Sequence, residues 1–129
     1  MRCPVVLCVD DAGEILEFYQ TLLGNYGYAV MVAEDGAEAL ELFRRRSPQI
    51  DAVILDYHMP GMMGLDLAFL LKGLDSCLPV LMVSGDGPKP DEVSPFVDAV
   101  IPKGSSTREI TDRLELLLGD RAARSQLVT

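Results

Sequence analysis

The stretch Val53-Ile54-Leu55-Asp56-Tyr57-His58-Met59-Pro60-Gly61 decides how the rest of the chain is read. Three strand-favouring apolar residues run straight into a carboxylate, and a turn built on Pro and Gly follows. This pattern predicts a buried strand with Asp56 at its carboxyl end. Apolar side chains on consecutive positions indicate a strand covered on both faces, as in a parallel sheet sandwiched between helices. In such sheets ligands gather outside the carboxyl ends of the strands. An acid placed there can hold a cation or attack an electrophile, or it can simply help the chain turn. The stretch alone does not separate these readings.

Working outward, the same arrangement recurs. Val5-Val6-Leu7-Cys8-Val9 is a second continuous apolar run, and it ends in Asp10-Asp11. After Gly13, the residues Ile15, Phe18, Tyr19, Leu22, Leu23 and Tyr26 recur at helical spacing until Gly24 and Gly27 close the segment. Residues 28–33 read as the next strand. Asp35 and Glu38 resemble a capping box that opens a helix with Ala37, Leu40 and Phe43 on its buried stripe, and Ser47-Pro48 ends it. Beyond the Met59-Pro60-Gly61 turn, Leu67, Leu70, Leu71 and Leu74 mark a third helix.

Pro79 introduces a fourth strand, 80–83, which runs into Ser84-Gly85-Asp86. Gly85, Gly87, Pro88 and Pro90 make the next segment irregular, and Pro95 leaves room for only a short helix near 91–97. A fifth strand at 98–101 meets the Pro102-Lys103-Gly104 turn. Ser106 and Glu109 then form a second capping box for a last helix that buries Ile110, Leu114 and Leu117 and stops at Gly119. The expected division is a domain at 1–119 and a frayed C-terminal tail at 120–129. Strict strand–helix alternation implies a doubly wound α/β sandwich with right-handed crossovers.

The chain of 129 residues fits one domain, with 49% hydrophobic and 24% charged residues. Its net charge of −9 argues against a direct nucleic-acid surface, which needs a basic stripe. Arg44-Arg45-Arg46 is a solvated cap at a helix end, where cations suit the dipole. No apolar run approaches the ~20 residues of a membrane span, and the start lacks a signal-peptide pattern, so a cytoplasmic protein with no membrane partner is expected. Cys3, Cys8 and Cys77 show no Cys-x-x-Cys spacing and read as buried or incidental thiols.

Four strand ends therefore supply Asp10 and Asp11, Asp56, Ser84, and Lys103 at one edge of the sheet. Each alone has a plain explanation as a cap, a loop hydroxyl or a solvated charge; together they favour a site. Clustered carboxylates repel, and a hard divalent cation relieves the repulsion; Mg2+ suits a few carboxylates and several waters. The Lys103 ammonium and the Ser84 hydroxyl can engage a phosphoryl group, with Asp56 as its nucleophilic acceptor.

Five motifs stand together: Asp10-Asp11; Asp56 with Met59-Pro60 and Gly64; Ala33-Glu34-Asp35-Gly36 with Glu38-Ala39-Leu40; Ser84-Gly85; and Pro102-Lys103. On these, residues 5–119 resemble the response-regulator receiver domain (CheY-like) of two-component signalling. The resemblance implies a flavodoxin-like fold, a doubly wound five-stranded parallel sheet of order 2-1-3-4-5 with helices on both faces. It implies that Asp56 accepts a phosphoryl group from the phosphohistidine of a sensor histidine kinase. Mg2+ would be held by Asp11, Asp56 and the backbone carbonyl of His58, with Asp10 acting mainly through a bound water. Gly85 and Asp86 would line the phosphoryl pocket, and side chains at His58 and Asp86 would tune how quickly the group is lost. Ser84 would swing toward the phosphoryl group and carry the change to the face formed by the fourth helix, fifth strand and fifth helix.

On this reading the chain is no enzyme toward other substrates; it catalyses only its own phosphorylation and dephosphorylation. The expected partners are the kinase and an output or phosphotransfer protein of unspecified identity, with homodimerisation on phosphorylation also compatible. With no DNA-binding or enzymatic domain in the sequence, it reads as a stand-alone receiver.

Two departures from the family pattern bear on switching. Val100 stands where receivers usually carry an aromatic rotamer switch, and the segment between Ser84 and Lys103 is short and rich in Pro. They keep alive a second reading, a receiver-fold protein-binding module with atypical or lost switching. A phosphatase of the haloacid dehalogenase type would need a second Asp two residues after the first, where His58 stands, and a cap domain that is missing.

Overall fold

The alternation read from the sequence closes into a single sheet. The structure, a computed structural model, describes residues 3–85 and 95–128, with side chains to 122. In chain order it contains β1 (Val5–Val9), α1 (Gly13–Asn25), β2 (Ala29–Ala33), α2 (Gly36–Arg46), a 3-10 turn (Ser47–Gln49), β3 (Ala52–Asp56), α3 (Gly64–Leu74), β4 (Val80–Ser84), β5 (Ala99–Pro102) and α4 (Thr107–Val128). The five strands are all parallel in the order β2-β1-β3-β4-β5, as expected. Asp86 and most of the short helix expected near 91–97 lie outside the described residues; Pro95 and Phe96 form a turn.

Burial explains the unbroken apolar runs. Every residue of β3 and β4 is buried, whereas the outer strands β2 and β5 are largely half-exposed. On one face Leu7, Val9, Val53, Leu55, Val80 and Met82 pack against Ala39 and Phe43 of α2 and Leu67, Ala68 and Leu71 of α3. On the other, Val6, Cys8, Ile54, Leu81 and Val83 meet Leu16, Tyr19 and Leu23 of α1 and Ile110 and Leu114 of α4. Alternate residues of each strand thus serve opposite layers. The two capping residues act as read: Asp35 Oδ1 accepts from the Glu38 N–H at 2.7 Å, and Ser106 Oγ from the Glu109 N–H at 3.3 Å. The Glu38 carboxylate reaches back to the Glu34 N–H at 3.4 Å, one residue before the cap.

Several helix faces differ from expectation. In α2 the buried positions are Gly36, Ala39 and Phe43, with Ala37 exposed and Leu40 half-buried. In α3, Leu67 and Leu71 are buried, but Leu70 and Leu74 are 40% and 52% exposed. Phe18 of α1 and Tyr26, which caps its C-terminus, also face outward, and Leu16 takes the core position. The last helix does not stop at Gly119; it continues to Val128. An interior Gly costs a helix about 1 kcal/mol. Here Leu117 and Leu118 pack on the α1 layer, and beyond the Gly Arg121 Nη2 meets Asp75 Oδ2 at 2.9 Å, so the next turn stays attached. Among the described residues no helix is long and apolar enough to cross a membrane.

The two classes of leucine on α3 should separate in a urea-unfolding experiment. Leu71→Ala, emptying a fully buried site, is expected to cost about 2–5 kcal/mol, and Leu74→Ala less than about 1. Equal losses would contradict the assigned face.

Candidate functional site

Strand register builds the site. Val9 aligns with both Ala33 and Leu55, so Asp10 and Asp56 emerge side by side one step beyond the paired ends of β1 and β3. The ladder continues past the strands: the Asp10 N–H donates to the Ala33 carbonyl (3.2 Å), Tyr57 N–H to Val83 (3.1 Å) and Lys103 N–H to Ser84 (2.8 Å). These bonds tie the exits of β1 and β2 to each other, and the exits of β3 and β5 to that of β4.

Asp10 and Asp56 are buried, only 3% and 4% exposed, while Asp11 is exposed. Carboxylate oxygens of all three lie within 4.8 Å of one another. Lys103 reaches in from β5, its Nζ 3.3 Å from Asp56 Oδ1, with its side chain half-exposed. Asp10 Oδ1 accepts the Ala12 N–H at 2.9 Å, which ties the acid to the entrance of α1, where no side chain caps the helix. The Asp10 carboxyl is pushed above its ordinary value chiefly by burial; the Ala12 N–H opposes this, Asp56 adds to it, Lys103 opposes it, and Asp11 adds again.

The loop leaving Asp56 is closely packed. Gly64 donates its N–H to the Tyr57 carbonyl at 2.9 Å, and a Cβ at Gly64 would press on the Asp56 carbonyl oxygen and come within 3.0 Å of Tyr57 Cα. Gly61 adopts φ +82°, open to glycine, and Met59 is buried in the core. His58 is exposed, its ring meeting Tyr57 edge-on with centroids 4.6 Å apart. Ser84 is buried at the end of β4, and Gly85 leaves its side open to the Lys103 stem, 3.7 Å from where a Cβ would sit. The structure therefore brings Asp10, Asp11, Asp56 and Lys103 together, with Ser84 and Gly85 on the adjoining loop. Val100 is half-buried on β5, and Phe96 packs edge-to-face on Phe69 of α3 at 5.0 Å.

Two features escaped the sequence reading. The Ala12 amide as partner of Asp10 carries no side-chain signal. Gly36, by contrast, left one: a Gly at the first position of a helix, where a helix former would cost less, marks a close contact.

The family model described as the response regulator receiver domain matches residues 6–115. The chain belongs to the response regulator receiver family. Among curated relatives, response regulator MprA of Mycobacterium sp. (strain KMS) is 33% identical over 116 residues, covering 88% of this chain and 50% of the relative. The transcriptional regulatory protein SphR for alkaline phosphatase synthesis from Synechococcus elongatus is 33% identical over 123 residues, covering 88% and 48%. The chain thus spans about half the length of these curated relatives. The response regulator TrrA of Thermotoga maritima, solved with Mg2+ and BeF, is 30% identical with a TM-score of 0.80, covering 88% of this chain and 98% of that one. A CheY-like receiver from Methanospirillum hungatei, 24% identical with a TM-score of 0.85 over 95% and 98%, shares the fold.

The metal-free receiver should carry a penalty from Asp10. A carboxyl whose folded pKa lies above the unfolded value of 3.8 stabilises the fold below that value and loses this contribution as pH rises through the folded pKa. With chelator present, Asp10→Asn is expected to melt above the wild type at pH 7, the gap closing toward acid pH. An Asp10→Asn protein less stable than wild type at pH 7 would contradict the repulsion.

Proposed function

We propose that this chain is a phosphoryl-accepting signalling receiver: Asp56 takes a phosphoryl group from the phosphohistidine of a sensor histidine kinase, with Mg2+ required, and the modified domain changes its affinity for an output or phosphotransfer protein. The observation that carries this is the Asp56 carboxylate, buried at the end of β3 beside Asp10 and Asp11, with the Lys103 ammonium 3.3 Å away. An isolated buried anion gains nothing from this environment. A buried anion with one mobile cation and two neighbouring acids is arranged for a dianionic ligand plus a metal.

The residues fit Mg2+, since hard oxygen donors converge and burial and mutual repulsion raise the free energy of the metal-free state. Asp11 and Asp56, the His58 carbonyl and, through water, Asp10 are the groups assigned to it. When bound, Mg2+ neutralises charge on the phosphoryl oxygens and lets two anions approach. The chain's own residues do the rest. An Asp56 carboxylate oxygen attacks phosphorus, the O–P bond forms as the N–P bond of the phosphohistidine breaks, and the imidazole leaves with its electron pair. Lys103 is free to turn from Asp56 to a phosphoryl oxygen, because half of its side chain is in solvent. Ser84, at the edge of the same pocket, donates to another oxygen and passes the change toward β5. The pocket edge at Gly85 leaves room for the group.

Chemistry of this kind is performed on the chain itself, so the receiver is no enzyme toward other substrates; it phosphorylates and dephosphorylates only its own Asp56. On this reading the chain works in the cytoplasm, where it meets the kinase. A second reading, a receiver that is labelled without the usual response, is favoured by one observation: Val100 offers no ring to follow Ser84, and Phe96, just upstream of β5, is engaged with Phe69.

Incubation with acetyl phosphate and Mg2+, followed by intact mass, tests the proposal. One phosphoryl group is expected on the wild type and none with chelator; Lys103→Ala should slow labelling roughly 10²-fold or more. An unlabelled wild-type protein would overturn the proposal. Labelling with no change in partner binding would select the second reading.

A further inference from the structure

The exit loop of β3 is fastened to α2 through a side chain that is missing. Gly36, the first residue of α2, is buried, and a Cβ built on it would lie 2.6 Å from Met62 Sδ, 3.0 Å from Met62 Cβ and 3.1 Å from Met62 Cγ. The whole stem of Met62, not only its flexible tip, therefore lies over the Gly36 backbone. Making room would mean moving the loop itself.

That loop has little slack. Two residues on, Gly64 is pressed against the Asp56 carbonyl, and Met59 is held in the core. The start of α2 is equally fixed, because Asp35 accepts the Glu38 N–H at 2.7 Å through its side chain and the Ala39 N–H at 3.0 Å through its carbonyl. Just upstream, the Ala33 carbonyl accepts the Asp10 N–H at 3.2 Å. The short segment from Ala33 to Gly36 thus touches both acid-bearing loops, Asp10 through a backbone bond and the Asp56 loop through Met62.

We propose that Met62, seated in the space left by Gly36, is a positioning residue that holds the β3 exit loop in register with Asp10 and Asp11 and so sets the cation affinity of the acid cluster. This rests on the reading of that cluster as a Mg2+ site. Asp56 is carried by a rigid strand, but the loop that follows it is carried only by its anchors. Displacing one anchor moves donor atoms in the loop relative to the strand-borne acids, and small displacements are costly in a site of hard, geometrically demanding oxygen ligands.

The test measures the Mg2+ concentration that gives half the maximal rise in melting temperature, alongside the acetyl phosphate labelling rate at saturating Mg2+. Gly36→Ala is expected to raise that concentration about tenfold and Met62→Ala about threefold. The double variant should be no worse than Met62→Ala alone, because the new methyl then has nothing to displace. Met62→Leu, which keeps the bulk, should return to within about twofold of wild type. A purely structural contact would lower the metal-free melting temperature and leave the Mg2+ requirement unchanged; that outcome, or single effects that multiply in the double variant, overturns the proposal. If Gly36→Ala does not fold, Met62→Ala decides alone: a raised requirement supports positioning and an unchanged one refutes it. A wild-type protein that binds Mg2+ yet takes no label defeats the phosphoryl-acceptor reading, while the variants' Mg2+ requirements still judge Met62.

Discussion

Mutual repulsion among carboxylates held at the ends of two adjacent buried strands is the constraint on which the molecule turns. Asp10 and Asp56 have almost no contact with solvent, and among the described residues Lys103, itself half in water, offsets Asp56 from a side chain. Burial drives the Asp10 carboxyl toward neutrality; the Ala12 N–H opposes this, the Asp56 carboxylate adds to it, Lys103 opposes it and Asp11 adds again. A fold tolerates this arrangement at a cost in stability, and the cost is recovered when positive charge enters. The proposed cation would relieve this cost.

The parallel sheet is what makes the arrangement rigid. Because β3 is covered on both faces, Asp56 cannot relax away from Asp10 without disturbing two hydrophobic layers. The exit loops are less constrained, and their positions depend on backbone bonds between neighbouring strand ends and on close glycine contacts at Gly64 and Gly36. Rigid acids with adjustable loops allow a charge change at Asp56 to alter loop geometry without unfolding the strands. The Lys103 N–H to Ser84 carbonyl bond joins β5 to β4 at the place where such a change would pass.

Much of this was legible in the sequence. Apolar runs ending in Asp10-Asp11, Asp56 and Ser84 gave the strands and their polarity, since a strand buried on both faces needs no alternation to be recognised. The carboxylates and Lys103 followed from the fold, because parallel strands deliver their C-terminal residues to one edge. What failed did so for identifiable reasons. The run from Leu67 to Leu74 carries more leucines than its buried stripe needs, so periodicity chose Leu70 and Leu74 as readily as Ala68. Ala37 was preferred to Ala39 on α2 because neither small residue announces its face. Gly119 looked like a helix stop because a local rule cannot see the Arg121–Asp75 pair, which joins residues distant in the chain. A Gly opening α2 signals a close contact, but nothing in the sequence names Met62 as the residue that fills the space.

The most direct test of the central claim is to locate the acyl phosphate. Protein treated with acetyl phosphate and Mg2+ should be reduced with borohydride, which converts an aspartyl phosphate to homoserine, and then mapped by peptide mass spectrometry. The account predicts homoserine at position 56 and unmodified aspartate at positions 10 and 11. Homoserine at either of those positions, or a labelled protein with none at 56, would contradict it.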